Sequence, residues 1–590
     1  MSDVFPSERA PQGAPTDGTV KPYRELTLAA VVFGVLIGAL MTAAFVYIAL
    51  KLGFTMPGST VAAILGFAVL RGALRRGSII ENNLNQTVAS GVNNASAGVA
   101  FTLPALFLIG AANPELAGFN PWAALLAAIG GSFLGIVVII PLRKQMIEFE
   151  RLRFPSGVAV ASLLRSPGAG ARQAQLLGGG FLVAAALHVP AYFHLIPEQL
   201  TVGEWIGLPA WLPVSLGISF ASIGAGLLAG RGGLPFVFGG MLAWWVISPL
   251  AINLGWVPSA EAVGVAASAA WTEWASAVLY GQMLRPLGIG ILIGGALSGV
   301  IASMPALKAA LAGLSRASSV SGAIQELSPR FLYLGILGSL AVLFAAAMLA
   351  DPEMGLARGA VTALVGTLWL ALAGLVVAQA TGMTDLSPIS GMSLIGVTIM
   401  FFLTNGNVAT SIILGVAVSV GIGQCADMMS DLKAGHLVGA RPRMQQLAQF
   451  SFAWIGVPVA IGVLYLIWNG PGFGPGNPDL SAPQGAALAA VMDGLRAGAA
   501  PVDKYAAGIG IGLAMGIFPI SGMGVLVGLA MYLPFYITLT YGVGCFVSMA
   551  LEARCGHAWV STYVVPVAAG FIIGEALINL TLTLVTLASG

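Results

Sequence analysis

Residues 25–50 read ELTLAAVVFGVLIGALMTAAFVYIAL, with Glu25 at the head and no charge after it. A helix rises about 1.5 Å per residue, so roughly 20 such residues cross a hydrocarbon core about 30 Å thick. The pattern then recurs. Apolar segments lie at 57–70, 88–112, 119–141, 173–196, 208–229, 234–254, 279–303, 330–350, 357–380, 388–403, 406–424, 446–468, 504–518, 521–541 and 559–586, separated by short polar breaks. Only 8% of the residues are charged, and these sit mostly in the breaks. No water-soluble domain needs so many stretches of this kind. The fold class is therefore all-α, a polytopic integral membrane protein with about 14–16 transmembrane helices. Segments 57–70, 388–403 and 504–518 are too short to span comfortably and read as re-entrant or broken helices.

Seventy-nine glycines suit helices packed closely in lipid, where small residues let backbones approach. A net charge of +2 gives no ground for a nucleic-acid partner. Residues 1–24 are polar, rich in Pro, Gly, Ser and Thr, and lack the apolar core of a signal peptide. They read as a disordered cytoplasmic tail ahead of one transmembrane domain, 25–590. Basic breaks (Arg71, Arg75, Arg76; Arg143 to Arg172; Lys308, Arg316, Arg330; Lys433, Arg441, Arg443) alternate with acidic or neutral ones at Glu115, Glu198, Glu204, Glu261, Glu273, Asp351 and Glu353. The positive-inside rule then puts the N-terminus in the cytoplasm. Segments 144–165, 427–446 and 482–498 mix charged and apolar residues at helical spacing and read as interfacial. Arg172–Leu177 resembles Arg443–Ala448, which suggests a two-fold duplication. The span count between a second pair of similar motifs breaks the parity. Cys425, Cys545 and Cys555 form no CxxC and read as small packing residues.

Polar residues inside the apolar segments are costly and so carry the functional information. The densest group is Glu81-Asn82-Asn83-Leu84-Asn85-Gln86-Thr87, continuing to Ser90 and then Asn93-Asn94-Ala95-Ser96. Carboxamides both donate and accept, so Asn82, Asn83, Gln86, Asn93 and Asn94 suit a substrate path. Single amides of this kind also join helices. A second group, Thr384-Asp385-Leu386-Ser387-Pro388-Ile389-Ser390-Gly391, opens an apolar stretch with a Pro–Gly pair, as a discontinuous helix would. Ser387, Ser390 and Gly391 are its candidate binding residues. Asn405 and Asn407 form a third group, followed by Asp427 and Asp431 at i,i+4. Asp431 with Lys433 also fits an ordinary solvated helix start. The fourth is Glu575, in the middle of the last span, with Asn579 one turn on. Glu575, Asp427 and Glu81 are the candidate proton-coupling groups.

Catalytic motifs are not found. HExxH, GxSxG, Walker A and a strand-borne GxGxxG do not occur, and His188, His194, His436 and His557 are scattered. No enzyme activity, metal site or cofactor is expected.

These motifs resemble those of the oligopeptide transporter (OPT) superfamily, bacterial branch, a group that includes the plant yellow-stripe-like metal-chelate transporters. The resemblance spans nearly the whole chain. Tyr47-Ile-Ala-Leu-Lys51 resembles the family's first span. Glu81-Asn-Asn-Leu-Asn-Gln-Thr-Val-Ala-Ser90 and Ala97–Ala105 resemble its Asn-Gln-Thr span. Pro141-Leu-Arg-Lys144, Leu152-Arg-Phe-Pro-Ser-Gly157, Pro388-Ile-Ser-Gly-Met392, Asp431-Leu-Lys-Ala-Gly-His-Leu-Val-Gly439 and Gly574-Glu-Ala-Leu577 match further signatures. Bacterial relatives usually carry Ala-Gly-Glu-Ser where this chain has Gly91-Val-Asn-Asn-Ala-Ser96, so amides replace an acid. The resemblance implies proton-coupled import of small peptides or metal–chelate complexes across the cell inner membrane. A passive pore is the competing reading. Large apolar helical surfaces also allow a homodimer.

Overall fold

The computed structural model describes residues 25–589 apart from 56–57, 68, 71–76, 114–117, 166–168, 194, 198, 209–211, 213, 255, 257–278, 303–325, 385–386, 388, 475, 478, 498–501 and 519–521. The expected N-terminal tail lies outside the described residues, as do the loop charges Arg71, Arg75, Arg76, Glu115, Glu198, Glu261, Glu273, Lys308 and Arg316, together with His194, Asp385 and Pro388.

In chain order the helices are α1 (Leu28–Leu52), α2 (Gly58–Phe67), α3 (Ile79–Asn93), α4 (Ala95–Thr102), α5 (Pro104–Ala112), α6 (Pro121–Ile139), α7 (Pro155–Arg165), α8 (Ala169–Tyr192), α9 (Val202–Trp205), α10 (Phe220–Ala229), α11 (Leu234–Met241) and α12 (Ser248–Asn253). They continue with α13 (Arg285–Ala302), α14 (Pro329–Ala350), α15 (Leu356–Thr384), α16 (Ile389–Leu403), α17 (Val408–Val438), α18 (Pro442–Phe452), α19 (Gly456–Asn469), α20 (Pro483–Ala497), α21 (Val502–Met515), α22 (Met523–Tyr532), α23 (Phe535–Cys555) and α24 (His557–Ser589). One two-residue strand pair, Gln199–Leu200 with Leu216–Gly217, is antiparallel. Among the described residues, 11 helices are long and apolar enough to cross a membrane, and Gly58–Phe67, Ile389–Leu403 and Met523–Tyr532 are shorter apolar helices. The all-α polytopic architecture with short helices is as expected. The sequence count is higher in part because it includes the short segments 57–70, 388–403 and 504–518.

Local signals set the ends. Thr27 caps α1 by accepting from the Ala30 N–H at 3.1 Å, and Gly53 at φ 77 closes it in the left-handed region. Ser78 caps α3, accepting from the Glu81 N–H at 3.1 Å. The run 79–112 is hitched at Asn94 and again at Leu103, where Pro104 has no N–H to give. The amide-rich stretch is thus the first half of a long span and not the head of one starting at 88.

Three expected readings change. Segments 208–229 and 234–254 were read as separate spans. In the structure the chain reverses at Gly230 (φ 49), and α10 and α11 both lie along α23. Gly226 faces the Tyr541 carbonyl, and Gly240 faces Thr538 after the reversal. The ten-residue arm α10 covers only about 15 Å, half a bilayer, whereas the helical backbone runs unbroken from Leu234 to Asn253, so the expected segment 234–254 keeps its full length. The second change concerns 427–446. Residues 427–438 are not interfacial. They complete α17, a 31-residue helix buried along nearly its whole length. Asp431 is fully buried in mid-helix, so the reading of it as a solvated start fails. Segment 482–498 is likewise α20, packed on α5, with Gly485 against Pro104.

The α17 helix is the axis of one group of helices, packing on α3, α4, α6, α15 and α16. The α6 contact is close. A Cβ on Gly131 would stand 2.1 Å from the Ala417 carbonyl oxygen, and one on Gly135 would stand 2.2 Å from that of Gly421. A second group pairs α8 with α24, α10 with α23, and α13 with α21 and α22. The two groups meet where α1 packs on α24. Exposed Leu334, Leu337, Leu364 and Leu368 on α14 and α15 lie where lipid would cover them.

Candidate functional site

Lys51 occupies the last turn of α1, and Glu575 lies inside α24. The fold brings them together, with Lys51 Nζ 2.9 Å from Glu575 Oε1 and both side chains buried. Ser219 caps α10 and donates to the same carboxylate at 3.0 Å, and the Ala221 N–H donates to Oε2 at 2.9 Å. Tyr47 donates a longer bond of 3.4 Å. The carboxylate therefore sits on the positive end of a short helix as well as beside an ammonium. This is how a charge can lie at membrane depth: every lone pair facing inward has a donor. Asn579 does not hold Glu575 as the one-turn spacing suggested. Its amide lies 3.2 Å from His188 Nε2 on α8.

Lys51, with Glu575 buried behind it, lines one wall of a cavity of about 550 Å³, between α1, α8, α19, α23, α24 and the segment leading into α10. That volume is in the range of small-molecule sites, roughly 300–1,000 Å³. Lys51, His188 and Asp479 bring charge or titratable nitrogen, and Asn469, Asn477 and Asn579 bring amides. Tyr536 donates to Asp479 at 2.8 Å. The loop between α19 and α20 is tied down. Asn477 Oδ1 accepts from the Asp479 and Leu480 N–H groups, and the Ala482 N–H donates to the Leu50 carbonyl at 2.8 Å. Of this lining, the sequence reading singles out only Asn579, as a neighbour of Glu575. Lys51 appears there only within a family motif and His188 only as scattered, and Asp479 is not named. An intramembrane Glu575 does demand a cation, but not which one.

The α3 amides lie elsewhere, in a buried polar seam shared with α1, α2, α17 and α18. Asn82 donates to the Ala63 carbonyl at 3.4 Å and Asn85 to that of Ala30 at 2.9 Å. Gln86 donates to Asp431, Ser90 to Asp427 at 2.6 Å, and Asn94 to the Val420 carbonyl at 3.3 Å. Gln445 bridges Thr87 at 2.8 Å and the Asp431 carbonyl at 2.9 Å. Asn83 and Asn93 are buried too, and Asn93 Oδ1 has no partner among the described residues. Glu81, in the first turn of α3, accepts from the Thr27 hydroxyl.

The remaining candidates are dispersed. Ser387 bonds Thr381 at 2.6 Å in the break before α16. Ser390 lines a separate void of about 30 Å³, and Gly391 packs on Ala296. Asn407 caps α17, accepting from the Thr410 N–H at 3.1 Å and donating to Asp351 at 3.0 Å. Asn405, at φ 53, shapes the same turn.

Against this geometry, the family model described as OPT oligopeptide transporter protein matches residues 25–586. The chain belongs to this family. A Haemophilus influenzae protein named "Putative oligopeptide transporter" is 27% identical over 92% of this chain and 93% of its own length. The metal-nicotianamine transporter YSL2 of Arabidopsis thaliana is 24% identical over 78% of this chain and 76% of its own. The iron-phytosiderophore transporter YSL15 of Oryza sativa is 30% identical over 39% of each chain. The protein is a multi-pass membrane transporter of the OPT family, similar both to a peptide-named bacterial member and to plant metal-chelate carriers.

Proposed function

We propose that the protein is a proton-coupled secondary transporter that imports small peptides or metal–chelate complexes across the inner membrane, with its N-terminus in the cytoplasm. The observation that carries this reading is the polar cavity walled by Lys51 and Asp479. Opposite charges in one enclosure suit a substrate bearing both an anionic and a cationic group. Under the positive-inside orientation, the C-terminal ends of α1 and α19 put this cavity on the outer side, where import begins. Relatives named for oligopeptides and for metal-nicotianamine support both substrate types.

Among the carboxylates that could take the coupling proton, Glu575 is matched by Lys51 and the α10 terminus, which favours a role in shaping the cavity. Glu81 follows Ser78 by three residues in capping-box spacing, which favours a structural role. Asp427 has a hydroxyl partner and no cation, which favours coupling. The amides Asn82, Asn83, Gln86, Asn93 and Asn94 are proposed to border the path inward from the cavity.

The test is uptake of trialanine and of iron–nicotianamine into proteoliposomes under an imposed pH gradient, acidic outside. Accumulation against a substrate gradient is expected for one of them, and mere equilibration would favour a pore. Asp479→Asn is expected to lower uptake about tenfold, ~1.4 kcal/mol of lost binding, with normal membrane insertion. Asn93→Ala and Asn94→Ala are expected to slow uptake. Unchanged kinetics in both would remove the α3 amides from the path.

A further inference from the structure

Four oxygens lie in a row where α2, α3 and α17 meet. Ser90 Oγ is 2.6 Å from Asp427 Oδ2, Ser59 Oγ is 2.9 Å from Ser90 Oγ, and Ser59 Oγ is 3.0 Å from Asp431 Oδ1. All three separations are those of O–H···O hydrogen bonds, about 2.5–3.0 Å. Each such contact needs one hydrogen, and each serine hydroxyl has one to give. Two hydroxyls cannot fill three contacts. If both carboxylates were ionised, Ser90 would donate to Asp427 and Ser59 to Asp431, and the two serine oxygens would face each other with nothing between.

We infer that Asp427, Ser90, Ser59 and Asp431 form a proton site that holds one proton shared between the two carboxyls. This rests on the proton-coupled reading and gives the coupling proton a place. With one proton the row closes: Asp427 O–H donates to Ser90, Ser90 to Ser59, and Ser59 to ionised Asp431. Turning both hydroxyls and moving the carboxyl proton reverses the row, leaving Asp431 protonated and Asp427 ionised. No atom is gained or lost, and the proton enters from and leaves to water.

A second observation points to the same ligand. Asp431 is fully buried, and its Oδ2 has no hydrogen-bond partner among the described residues. A second negative charge beside Asp427 would be left unsolvated there. Gln86 donates to Asp431 Oδ1, but the surrounding elements bring no countercharge. Helices α2, α4, α5, α6 and α16 carry no acid, imidazole or cation. The charged or titratable groups on the other helices packed against α17 are Glu81, Arg165, Arg330, Tyr333, Arg358 and Arg443, with Cys425, Lys433 and His436 on α17 itself. Glu81 is taken by Thr27, and Arg165 donates to the Leu437 carbonyl. None of these cations pairs with Asp427 or Asp431 among the described residues. Lys51 and Glu575, on helices that pack on α2, are paired with each other.

Asparagine at either position would supply the missing hydrogen through its N–H, so Asp427→Asn and Asp431→Asn keep the row bonded without the proton. Both variants are therefore expected to fold. Infrared difference spectra of the protein in proteoliposomes at neutral pH should show a protonated-carboxyl C=O band in the wild type that is lost in each variant. A band surviving in both, or lost in only one, overturns the shared proton. A band that appears only when sodium is withheld assigns the site to that cation and also overturns it. In transport, each variant should lose gradient-driven accumulation at least about tenfold while still exchanging substrate across the bilayer. If wild-type protein itself ignores the pH gradient, the coupled reading fails, and the infrared result still reports on the site separately. If wild type accumulates and both variants match it, the site fails and the coupled reading stands.

Discussion

Lys51→Met is expected to destabilise the folded protein by about 3–5 kcal/mol, because it strands the fully buried Glu575 carboxylate without its cation. Glu575→Met should cost a similar amount by stranding the ammonium. The double variant, with both charges gone, should lose less than either single one, since the expense of a broken buried pair lies mainly in the charge left behind. Thermal unfolding of the four proteins in one detergent forms the double-mutant cycle. Simple addition of the two losses would show that the pair is not coupled. The pair also holds the entry to α10 through Ser219 and Ala221. Uptake should therefore fall in both single variants together with stability.

Gly131→Leu is expected to prevent assembly of the α6–α17 contact. Its Cβ would fall 2.1 Å from the Ala417 carbonyl oxygen, a backbone atom that cannot rotate away. Overpacking a core by a few methylenes costs about 1–3 kcal/mol when side chains can yield, and more when they cannot. The helices would have to separate, and α17 is the axis on which α3, α15 and α16 also pack. Size-exclusion profiles of detergent-extracted protein should show aggregate in place of a single peak. Gly179→Leu is the matched control, because nothing stands within 4 Å of its Cβ on the exposed face of α8. A normal profile for Gly131→Leu would mean that α6 and α17 are not in backbone contact.

Fold class was legible in the chain because the demand that lipid makes is local. A segment of about 20 apolar residues satisfies it without reference to any other segment. The short helices, the polar tract at 81–96 and the buried Glu575 were visible for the same reason, since a polar group in an apolar run declares itself. What each polar group touches was not legible. Asp431 and Gln86 are 345 residues apart, and Lys51 and Glu575 are 524 apart. Hydropathy fixes how deep a residue lies but not which helix stands beside it. The reversal at Gly230 was hidden in the same way, because a half-length apolar arm followed by a full-length one has the composition of two spans. Sequence by itself determined that this chain crosses a membrane many times and where its polar residues enter it. Only the tertiary structure decided that Lys51 neutralises Glu575 at a cavity wall and that Asp427 and Asp431 share a row of hydroxyls. Those pairings depend on side-chain packing between helices far apart in the chain.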